Sequence, residues 1–361
     1  MAKPPIVEGI DPDELKMFNF AVWSFKQGEL VSAMIHLGDR LGLYKAMMGE
    51  GAITSSALAE STGTHERFVR EWLLGQAAAR LVVRHDDTTF ELTALQAAVL
   101  ADEDGSISFS AGAFRGGFSD EHVDALERSF KTGVGITYEE QGPGPAAGLA
   151  RMTAPWTRHG LESHILSAVD GLIGQLEAGI DVADLGCGGG VLACRLAELY
   201  PNSTITGFDP SGTAIGLAAD RAEAAGLGNV TFTKAFAEDL EPTPNYDFIT
   251  TFDVLHDMPR PDRAIAAVKQ TLRPDGAWLV KDIRSAGNWD HDKRNPMLAL
   301  MYGFSVSSCL QSAMSEPGGM GLGTLGLHPT KAEELMRAGG FTQFTTHDVG
   351  DQSNLYYEIR H

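Results

Sequence analysis

A glycine-dense turn at residues 186–190 constrains the fold of this chain more than any other stretch. The mostly apolar run 182–185 precedes it, and a helical pattern follows at 191–199. This order is that of a strand, a tight turn and a helix. Because glycine has no Cβ and tolerates positive φ, such a turn lets the backbone approach a ligand closely, and the helix that follows offers unpaired N–H groups. We therefore expect a ligand site where this strand ends.

From residue 180 onward, strand patterns alternate with helical patterns. Alternation of this kind predicts an α/β domain, a parallel sheet with helices on both faces. The predicted strands are 180–185, 203–208, 230–235, 246–252 and 276–282, with helices at about 190–200, 211–226 and 260–273. Residues 284–327 interrupt the pattern as an insertion with an apolar helix near 297–310. The pattern ends with a helix at 330–338 and strands at 341–348 and 353–360.

Residues 1–100 predict a mainly α-helical domain that contains a winged helix. Residues 13–48 show helical periodicity with apolar side chains on nearly every face, which is typical of a buried helix and suggests burial by a partner subunit. A short helix at 57–61, a helix at 65–79 capped by Thr64, and a hairpin of 81–84 and 90–93 form a helix–turn–helix followed by a wing. We expect a homodimer formed through this domain.

Residues 101–160 are expected to form a linker and a cover over the active site. Glycines and prolines punctuate residues 105–160, with several aromatic side chains among them. A long segment of this composition often covers a ligand cleft, although a plain linker with gap-filling aromatic side chains is the alternative. A long amphipathic helix at 158–178 then leads into the third predicted region, residues 161–361.

The charge and the cysteine content restrict the class of protein. The formal net charge is −20, and residues 1–160 hold 14 Lys and Arg against 22 Asp and Glu, a balance of 14 − 22 = −8. Nucleic-acid binders normally present a basic surface, so DNA binding by the winged helix is disfavoured. No apolar run reaches the ~20 residues of a membrane span, and the N-terminus does not resemble a signal peptide, so we expect a cytoplasmic protein. Three scattered cysteines predict neither a disulfide framework nor a zinc site: Cys187, Cys194 and Cys309.

Two later segments complete a nucleotide-type site around the glycine turn. Asp209, 19 positions after Gly190, ends the second predicted strand and is placed to accept hydrogen bonds from ribose hydroxyls; alternatively it caps the helix at 211–226. After the third strand, Phe236 is suited to lie on an adenine ring, and Glu238 to receive the adenine amino group. A P-loop is excluded, because no Gly-Lys-Ser/Thr follows the turn.

The motifs Asp184-x-Gly-x-Gly-x-Gly, Asp209, Ala237-Glu238-Asp239 and Phe252-Asp253 together resemble the class I S-adenosylmethionine-dependent methyltransferases over about 180–282. The resemblance implies a Rossmann-like seven-stranded sheet with an antiparallel last hairpin, S-adenosylmethionine as cofactor and S-adenosylhomocysteine as product. The implied cofactor contacts are Asp184, Gly186, Gly188, Gly190, Asp209, Phe236, Ala237, Glu238 and Phe252. A dehydrogenase fits less well, because its turn is Gly-x-Gly-x-x-Gly.

The fourth predicted strand runs into Leu255-His256-Asp257. Ligands bind outside the carboxyl ends of strands in a doubly wound sheet, so His256 is expected near the methyl group. Transfer to a hydroxyl needs a base, and histidine titrates near neutrality. Asp257 or Asp253 is suited to orient its other ring nitrogen. Alternatively, His256 only caps the strand or packs against the cofactor.

Leu255-His256-Asp257, with Leu272-Arg273-Pro274-Asp275-Gly276, also resembles the winged-helix O-methyltransferases of plants and microbes. In those enzymes a His followed by Asp is the catalytic base, which implies that role for His256. They place two carboxylates near the His; here Asp282 holds the first position and His328 the second. Over nearly its whole length the chain is similar to actinobacterial and mycobacterial winged-helix methyltransferases. The segments that carry this similarity are residues 252–257, Pro155-Trp156-x-x-His159 and the insertion.

The acceptor is expected to be a small, mostly apolar or aromatic molecule methylated at oxygen. The predicted acceptor-binding side chains are Tyr138, Met152, Trp156, Met301, Tyr302 and His328. Residues 290–294 have a metal-like composition, but their alternating charges favour a solvated loop, and the mechanism needs no metal. Two alternatives remain: a ligand-sensing regulator whose winged helix binds DNA, and an enzyme whose bound sulfonium assists another reaction.

Overall fold

The computed structural model describes residues 9–361, which form two compact units that divide between Phe118 and Ser119. The predicted cover segment, residues 101–160, therefore contributes to both units. No helix within the described range is long and apolar enough to cross a bilayer.

The N-terminal unit is mainly helical and contains a small sheet. Its elements, in chain order, are α1 (Pro12–Arg40), α2 (Leu43–Met47), β1 (Ala52–Thr54), α3 (Ser55–Thr62), α4 (Glu66–Ala78), β2 (Val83–Arg84), β3 (Thr89–Glu91) and α5 (Ala94–Leu100). The antiparallel strands lie in the order β1-β3-β2, so the predicted helix–turn–helix and wing are confirmed. Thr64 is not the cap of α4, because the ring of His65 accepts the N–H of Arg67 instead.

Helix α1 is not buried within this chain, and its expected burial by a partner subunit stays a prediction. Its first half is exposed along several faces, with Met17, Phe20 and Phe25 each 73–76% accessible. Burial begins only in its second half, at Ile35 and Gly38. The apolar surface that the sequence predicts to be covered is therefore open in the single chain.

The C-terminal unit is built on a seven-stranded sheet. Its strands are β4 (Asp181–Leu185), β5 (Thr204–Asp209), β6 (Val230–Lys234), β7 (Tyr246–Phe252), β8 (Leu272–Ile283), β9 (Gln343–His347) and β10 (Asn354–Arg360). They lie in the order β6-β5-β4-β7-β8-β10-β9, parallel except for β10, which pairs antiparallel with both β8 and β9. The predicted α/β class, strand number and antiparallel last hairpin are confirmed.

Helices cover both faces of this sheet and bury two apolar clusters. The helices of the unit are α6 (Asp120–Thr132), α7 (Pro143–Gly160), α8 (Leu172–Ala178), α9 (Val191–Leu199), α10 (Gly212–Ala224), α11 (Pro261–Thr271), α12 (Trp289–Asp292), α13 (Leu298–Phe304), α14 (Leu310–Ala313) and α15 (Pro329–Ala338). One cluster contains Leu161, Leu196 and Phe248, and the other contains Ile265, Trp278 and Met336. The sheet between them holds the carboxyl ends of the parallel strands β4, β5 and β7 at one edge.

Two sequence-based expectations for this unit are wrong. Residues 120–160 are mostly helical rather than loop-rich, because Ser119 caps α6 and the chain enters α7 at Pro143, where a missing N–H costs nothing. The helix expected at 158–178 is broken, since Gly171 adopts φ +75° before α8 begins. The apolar helix expected near 297–310 is present as α13, followed by a π-helical turn over residues 305–309.

Candidate active site

The turn after β4 has a backbone conformation and packing that residues with a Cβ atom could not adopt. Gly190 has φ +73°, and a Cβ on it would lie 2.7 Å from the Cβ of Ala218. Gly188 has φ +52°, and the chain as described leaves the space around its position empty to 4 Å. The turn is therefore closely packed on one side and open on the other, which suits a backbone that meets a ligand.

Asp209 ties the end of β5 to this turn. Its Oδ2 accepts the N–H of Gly188 at 2.9 Å, and its Oδ1 accepts the N–H of Ser211 at 2.9 Å. Burial raises the pKa of this carboxyl, while the two backbone donors lower it. The alternative that Asp209 caps α10 is wrong, because Ser211 is the N-cap and accepts from Ala214.

Asp184 lies at the same edge and is only 2% exposed. Its Oδ1 accepts the hydroxyl of Thr250 at 2.8 Å. Burial, with a smaller effect from the nearby Asp209, raises the pKa of Asp184 to about 7, while Thr250 and the backbone N–H of Ala193 on α9 lower it. The residue is therefore a buried acid at the edge of the sheet that also holds the open glycine turn.

The remaining predicted cofactor residues take different positions. Phe236 is 58% exposed at the start of a 3₁₀ turn that contains Ala237 and Glu238. Glu238 lies 3.7 Å from Arg263 and is only partly buried. Phe252 packs against the core, with its ring centroid 6.3 Å from that of Tyr356. Phe236 thus presents a free ring, whereas Phe252 is a packing residue.

His256 follows β7 in a short 3₁₀ turn and is 2% exposed. Its Nδ1 lies 2.8 Å from Oδ1 of Asp282 on β8, and its Nε2 lies 3.1 Å from Oδ1 of Asp257, an ion-pair distance without hydrogen-bond alignment. Asp282 therefore orients the ring. Asp253, one of the two residues expected to do so, instead contacts Lys281 and accepts from Asn354.

The two carboxylates determine the charge of His256. Burial alone lowers the pKa of the imidazole, but Asp257 and Asp282 outweigh this effect and hold it well above the ordinary value. The pair His256–Asp282 is a fixed, strongly basic unit at the carboxyl edge of the sheet.

Two residues distant in sequence complete this cluster. The hydroxyl of Tyr138 donates to Oδ2 of Asp257 at 2.7 Å. The Sγ of Cys309, from the π-helical turn of the insertion, lies within 4.8 Å of ligand atoms of both His256 and Asp257. Sequence reasoning named Tyr138 only as an acceptor contact and gave Cys309 no role, since no local motif marks it.

The segment before α7 connects the two sides of the site. Glu139, next to Tyr138, contacts the hydroxyl of Ser211 and accepts from Thr213 at 3.4 Å, beside Asp209. Gln141 accepts from Ser308 of the insertion at 2.9 Å. Residues 138–141 therefore lie across the edge of the sheet between the glycine-turn side and the His256 side.

The other predicted acceptor residues are spread over three elements. Met152 lies exposed on α7, and Trp156 stacks on Tyr356 at 6.3 Å and packs on the core. In the insertion, Met301 receives a contact from Asn295 at 3.5 Å, and Tyr302 is exposed. The ring of His328 caps α15. Their part in acceptor binding stays a prediction.

Two known protein families match parts of this chain. Residues 176–340 match the family described as the methyltransferase domain, and residues 29–102 match the Rv2258c-like winged HTH domain. The C-terminal unit contains a methyltransferase domain. Among curated relatives of this domain, the ubiquinone biosynthesis O-methyltransferase of Glaesserella parasuis is 31% identical over 127 residues, 34% of this chain and 50% of the relative. The chain spans half or less of the first curated relatives it matches.

Solved structures resemble the whole chain. Human N-acetylserotonin methyltransferase in complex with S-adenosylmethionine has a TM-score of 0.67 at 18% identity, over 98% of this chain and 99% of that one. The mitomycin 7-O-methyltransferase has a TM-score of 0.68 at 18% identity, over 97% and 99%. The methyltransferase domain therefore has the fold of the S-adenosylmethionine-dependent enzymes. The closer likeness to actinobacterial members stays a prediction.

Proposed function

We propose that this protein transfers a methyl group from S-adenosylmethionine to the oxygen of a small, mostly apolar or aromatic acceptor. The observation that carries this proposal is the juxtaposition, at one edge of a methyltransferase sheet, of an open glycine turn tied to Asp209 and a histidine fixed by Asp282. S-adenosylmethionine supplies an electrophilic methyl group on a sulfonium.

The cofactor residues are proposed from their fit. The turn 186–190 offers backbone close to a ligand, and Asp209 offers carboxylate oxygens for ribose hydroxyls. Asp184 offers a second buried carboxyl at the same edge of the sheet. Phe236 offers an exposed ring and Glu238 a carboxylate for an adenine. We do not extend the set to Phe252 as a direct contact, because its ring packs in the core.

We further propose that activation of the acceptor hydroxyl depends on His256. His256 is the proposed base, since Asp282 fixes Nδ1 and leaves Nε2 as the proton acceptor. The carboxylate of Asp257 lies at Nε2 and has to move aside before the acceptor hydroxyl binds there. The carboxylate of Asp257 then compensates the positive charge of the imidazolium that forms.

Oxygen as the acceptor atom is supported by the relatives. The ubiquinone biosynthesis and mitomycin 7-O enzymes are named as O-methyltransferases. We propose phenols and related hydroxyl compounds as the first acceptors to test.

Calorimetric titration with S-adenosylmethionine tests the cofactor half of this proposal. We expect one site for each chain with a dissociation constant in the range of roughly 1 μM to 1 mM that is usual for enzyme substrates. Asp209→Asn should weaken binding, whereas Asp290→Asn, in the exposed part of the insertion, should leave it unchanged. Absence of binding at millimolar cofactor contradicts the proposal.

We also propose that the protein is a homodimer through its N-terminal unit. A monomer rarely exposes large apolar surfaces, and the first half of α1 exposes Phe18, Phe20, Trp23 and Phe25 on several of its faces. The same segment of a second copy is its proposed partner. The acidic balance of the chain disfavours DNA as a partner for the winged helix.

A further inference from the structure

The carbonyl of Gly189, in the glycine turn, is held by a side chain from another helix. Nε of Arg221 on α10 donates to this oxygen at 2.9 Å. A hydrogen bond from a guanidinium is charge-assisted and stronger than one between neutral groups. The donor lies 32 positions from its acceptor, so the contact depends on how α10 packs beside the turn.

Helix α10 also packs directly against the turn. A Cβ on Gly190 would lie 2.7 Å from the Cβ of Ala218, and a Cβ on Gly189 would lie 3.9 Å from the Cβ of Leu217. Ala218 is fully buried, and Arg221 is partly buried one turn further along the helix. Because residues three and four positions apart lie on one face of a helix, these three side chains form one surface beneath the turn.

The bond from the guanidinium completes the hydrogen bonding of one peptide group of the turn. The peptide that joins Gly189 to Gly190 accepts this bond at its oxygen and donates its N–H to the oxygen of Cys187 at 3.0 Å. The peptide that joins Cys187 to Gly188 is also bound at both groups, since its N–H donates to the aspartate that ends β5. A peptide group is planar, so bonds at both its oxygen and its N–H set its orientation.

Between these two fixed groups lies the peptide that joins Gly188 to Gly189. Within residues 9–361 its N–H donates to no protein acceptor, and the space around the Cβ position of Gly188 is open to 4 Å. This peptide shares a Cα atom with each fixed neighbour, so the neighbours determine where its N–H points. The N–H of Gly189 is therefore a backbone donor that the turn keeps in a set direction for a ligand.

We propose that Arg221 is a positioning residue for the cofactor of the proposed methyl transfer, on which this inference rests. By holding the carbonyl of Gly189 toward α10, it keeps the turn in the conformation in which the free N–H meets an oxygen of S-adenosylmethionine. Arg221 acts through the backbone and needs no contact with the cofactor. Sequence reasoning gave it no role, because no local motif links α10 to the turn.

This role differs from a direct effect of the positive charge. S-adenosylmethionine carries a sulfonium cation, whereas S-adenosylhomocysteine is uncharged at sulfur. A guanidinium that acted through its charge would disfavour the first ligand relative to the second. A guanidinium that acts through the peptide of Gly189 supports both ligands equally, because they share the adenosine and amino-acid portions.

Calorimetry with both ligands on the full-length protein tests the role of Arg221. Arg221→Met keeps a long apolar stem and loses the donor, and it should raise both Kd values by about 10-fold or more at an unchanged ratio. Arg221→Gln places an uncharged N–H donor as far along the side chain as Nε, and it should bind both ligands within about 3-fold of the wild type.

Arg195→Met is the matched control for the loss of a guanidinium. Arg195 is partly buried on the neighbouring helix α9 and donates to the carbonyl of Arg158 at 3.3 Å, outside the turn. This variant should bind both ligands within about 2-fold of the wild type. Circular dichroism establishes that the variants are folded.

Residue-resolved hydrogen exchange on the wild type gives a test that needs no variant. The N–H of Gly190 should exchange slowly with or without cofactor, and the N–H of Gly189 should exchange fast until cofactor slows it at least about 10-fold. An N–H of Gly189 that does not respond to bound cofactor overturns the inference.

The binding outcomes separate this inference from the proposed function. Unchanged affinity in Arg221→Met, an equal loss in Arg195→Met, or a loss in Arg221→Gln as large as in Arg221→Met overturns the positioning role. A gain for S-adenosylmethionine relative to S-adenosylhomocysteine in Arg221→Met also overturns it. Wild-type protein that binds neither ligand contradicts the proposed function itself.

Discussion

His256 is fixed by a residue on the neighbouring strand rather than by its sequence neighbours. Asp282 on β8 accepts from Nδ1, and Asp257 lies at Nε2. The ring therefore has one orientation in which to act as the base. Its contribution to catalysis is testable apart from cofactor binding, because the proposed cofactor residues lie on β4 and β5, in the turn after β4 and after β6.

Replacing His256 with Ala should lower kcat about 10²- to 10⁴-fold, the usual contribution of a positioned acid–base group. Binding of S-adenosylmethionine should remain within a few-fold of the wild type. Turnover assays at saturating cofactor measure the first effect and calorimetry the second. Turnover within a few-fold of the wild type at neutral pH contradicts any activating role for His256.

Asp282→Asn should lower kcat about 10- to 100-fold, because the ring of His256 loses its charged acceptor while keeping its place. Asp253→Asn is the matched control, since Asp253 contacts Lys281 and Asn354 instead of the ring. The two variants should differ in kcat and agree in the Kd for S-adenosylmethionine. An equal loss of kcat in the two variants would show that Asp282 does not position the ring of His256.

Asp184 should make the stability of the cofactor-free protein depend on pH. Its pKa is raised by burial from 3.8 to about 7, so between about pH 4 and 7 the folded chain holds a proton that the unfolded chain has released. Its contribution to the free energy of unfolding therefore falls as pH rises through this window. The Asp184→Asn variant should not lose free energy of unfolding over this pH window. The difference in free energy of unfolding between variant and wild type should therefore rise by a few kcal/mol from pH 4 to pH 7, since one pKa unit is roughly 1.4 kcal/mol.

Urea unfolding of wild type and Asp184→Asn at pH 4.5, 6 and 8 measures this difference. The variant keeps an oxygen that can accept from Thr250, so packing should change little. A difference in stability that is the same at all three pH values would show that Asp184 is ionised in the folded protein.

Among elements, the glycine turn and the strands were predictable because their signals are local. A strand, a turn with positive φ and a helix follow one another within residues 181–199. The segment 119–160 was not predictable, because its glycines and prolines mark helix ends as well as loops: Gly133 and Gly142 cap α6 and α7, while Pro155 lies inside α7. The break at Gly171 is likewise set by how the chain packs before β4.

Gly190→Ala should lower the free energy of unfolding by more than the backbone strain at positive φ accounts for. An Ala at positive φ costs roughly 1–2 kcal/mol, and here its Cβ would also lie 2.7 Å from the Cβ of Ala218. Gly226→Ala is the matched control, with φ +65° and, in the described chain, open space around its position to 4 Å. Urea unfolding should give a larger loss for Gly190→Ala, accompanied by weaker cofactor binding. Equal losses would show that the Ala218 contact relaxes without cost.

At the scale of the whole molecule, the alternation of patterns predicted the sheet and its last hairpin, because each strand carries its own apolar signal. The His256 cluster was only partly predictable: adjacent residues 256 and 257 form a motif, but Tyr138 and Cys309 lie 118 and 53 positions from His256. Contacts of such sequence separation depend on the completed fold. The apolar side chains on nearly every face of α1 indicated a covered helix, and its place in an N-terminal arm suggested a partner subunit.

Phe20→Glu with Phe25→Glu should convert the expected dimer into a monomer without unfolding it, because both side chains are exposed in the single chain. Sedimentation velocity measures the mass, and circular dichroism the fold. Phe130→Glu, an equally exposed side chain on α6, is the control and should leave the mass unchanged. A wild-type monomer, or a dimer that survives the double substitution, contradicts the assignment of α1 as the interface.

The central claim is methyl transfer from S-adenosylmethionine to an acceptor oxygen. Incubating the protein with methyl-labelled cofactor and a panel of phenols, carboxylic acids and thiols, followed by mass analysis of the products, tests it most directly. We expect a labelled methyl ether from at least one phenol, together with an equal amount of S-adenosylhomocysteine. Transfer only to nitrogen, sulfur or carbon, or none to any acceptor by protein that binds the cofactor, contradicts this account.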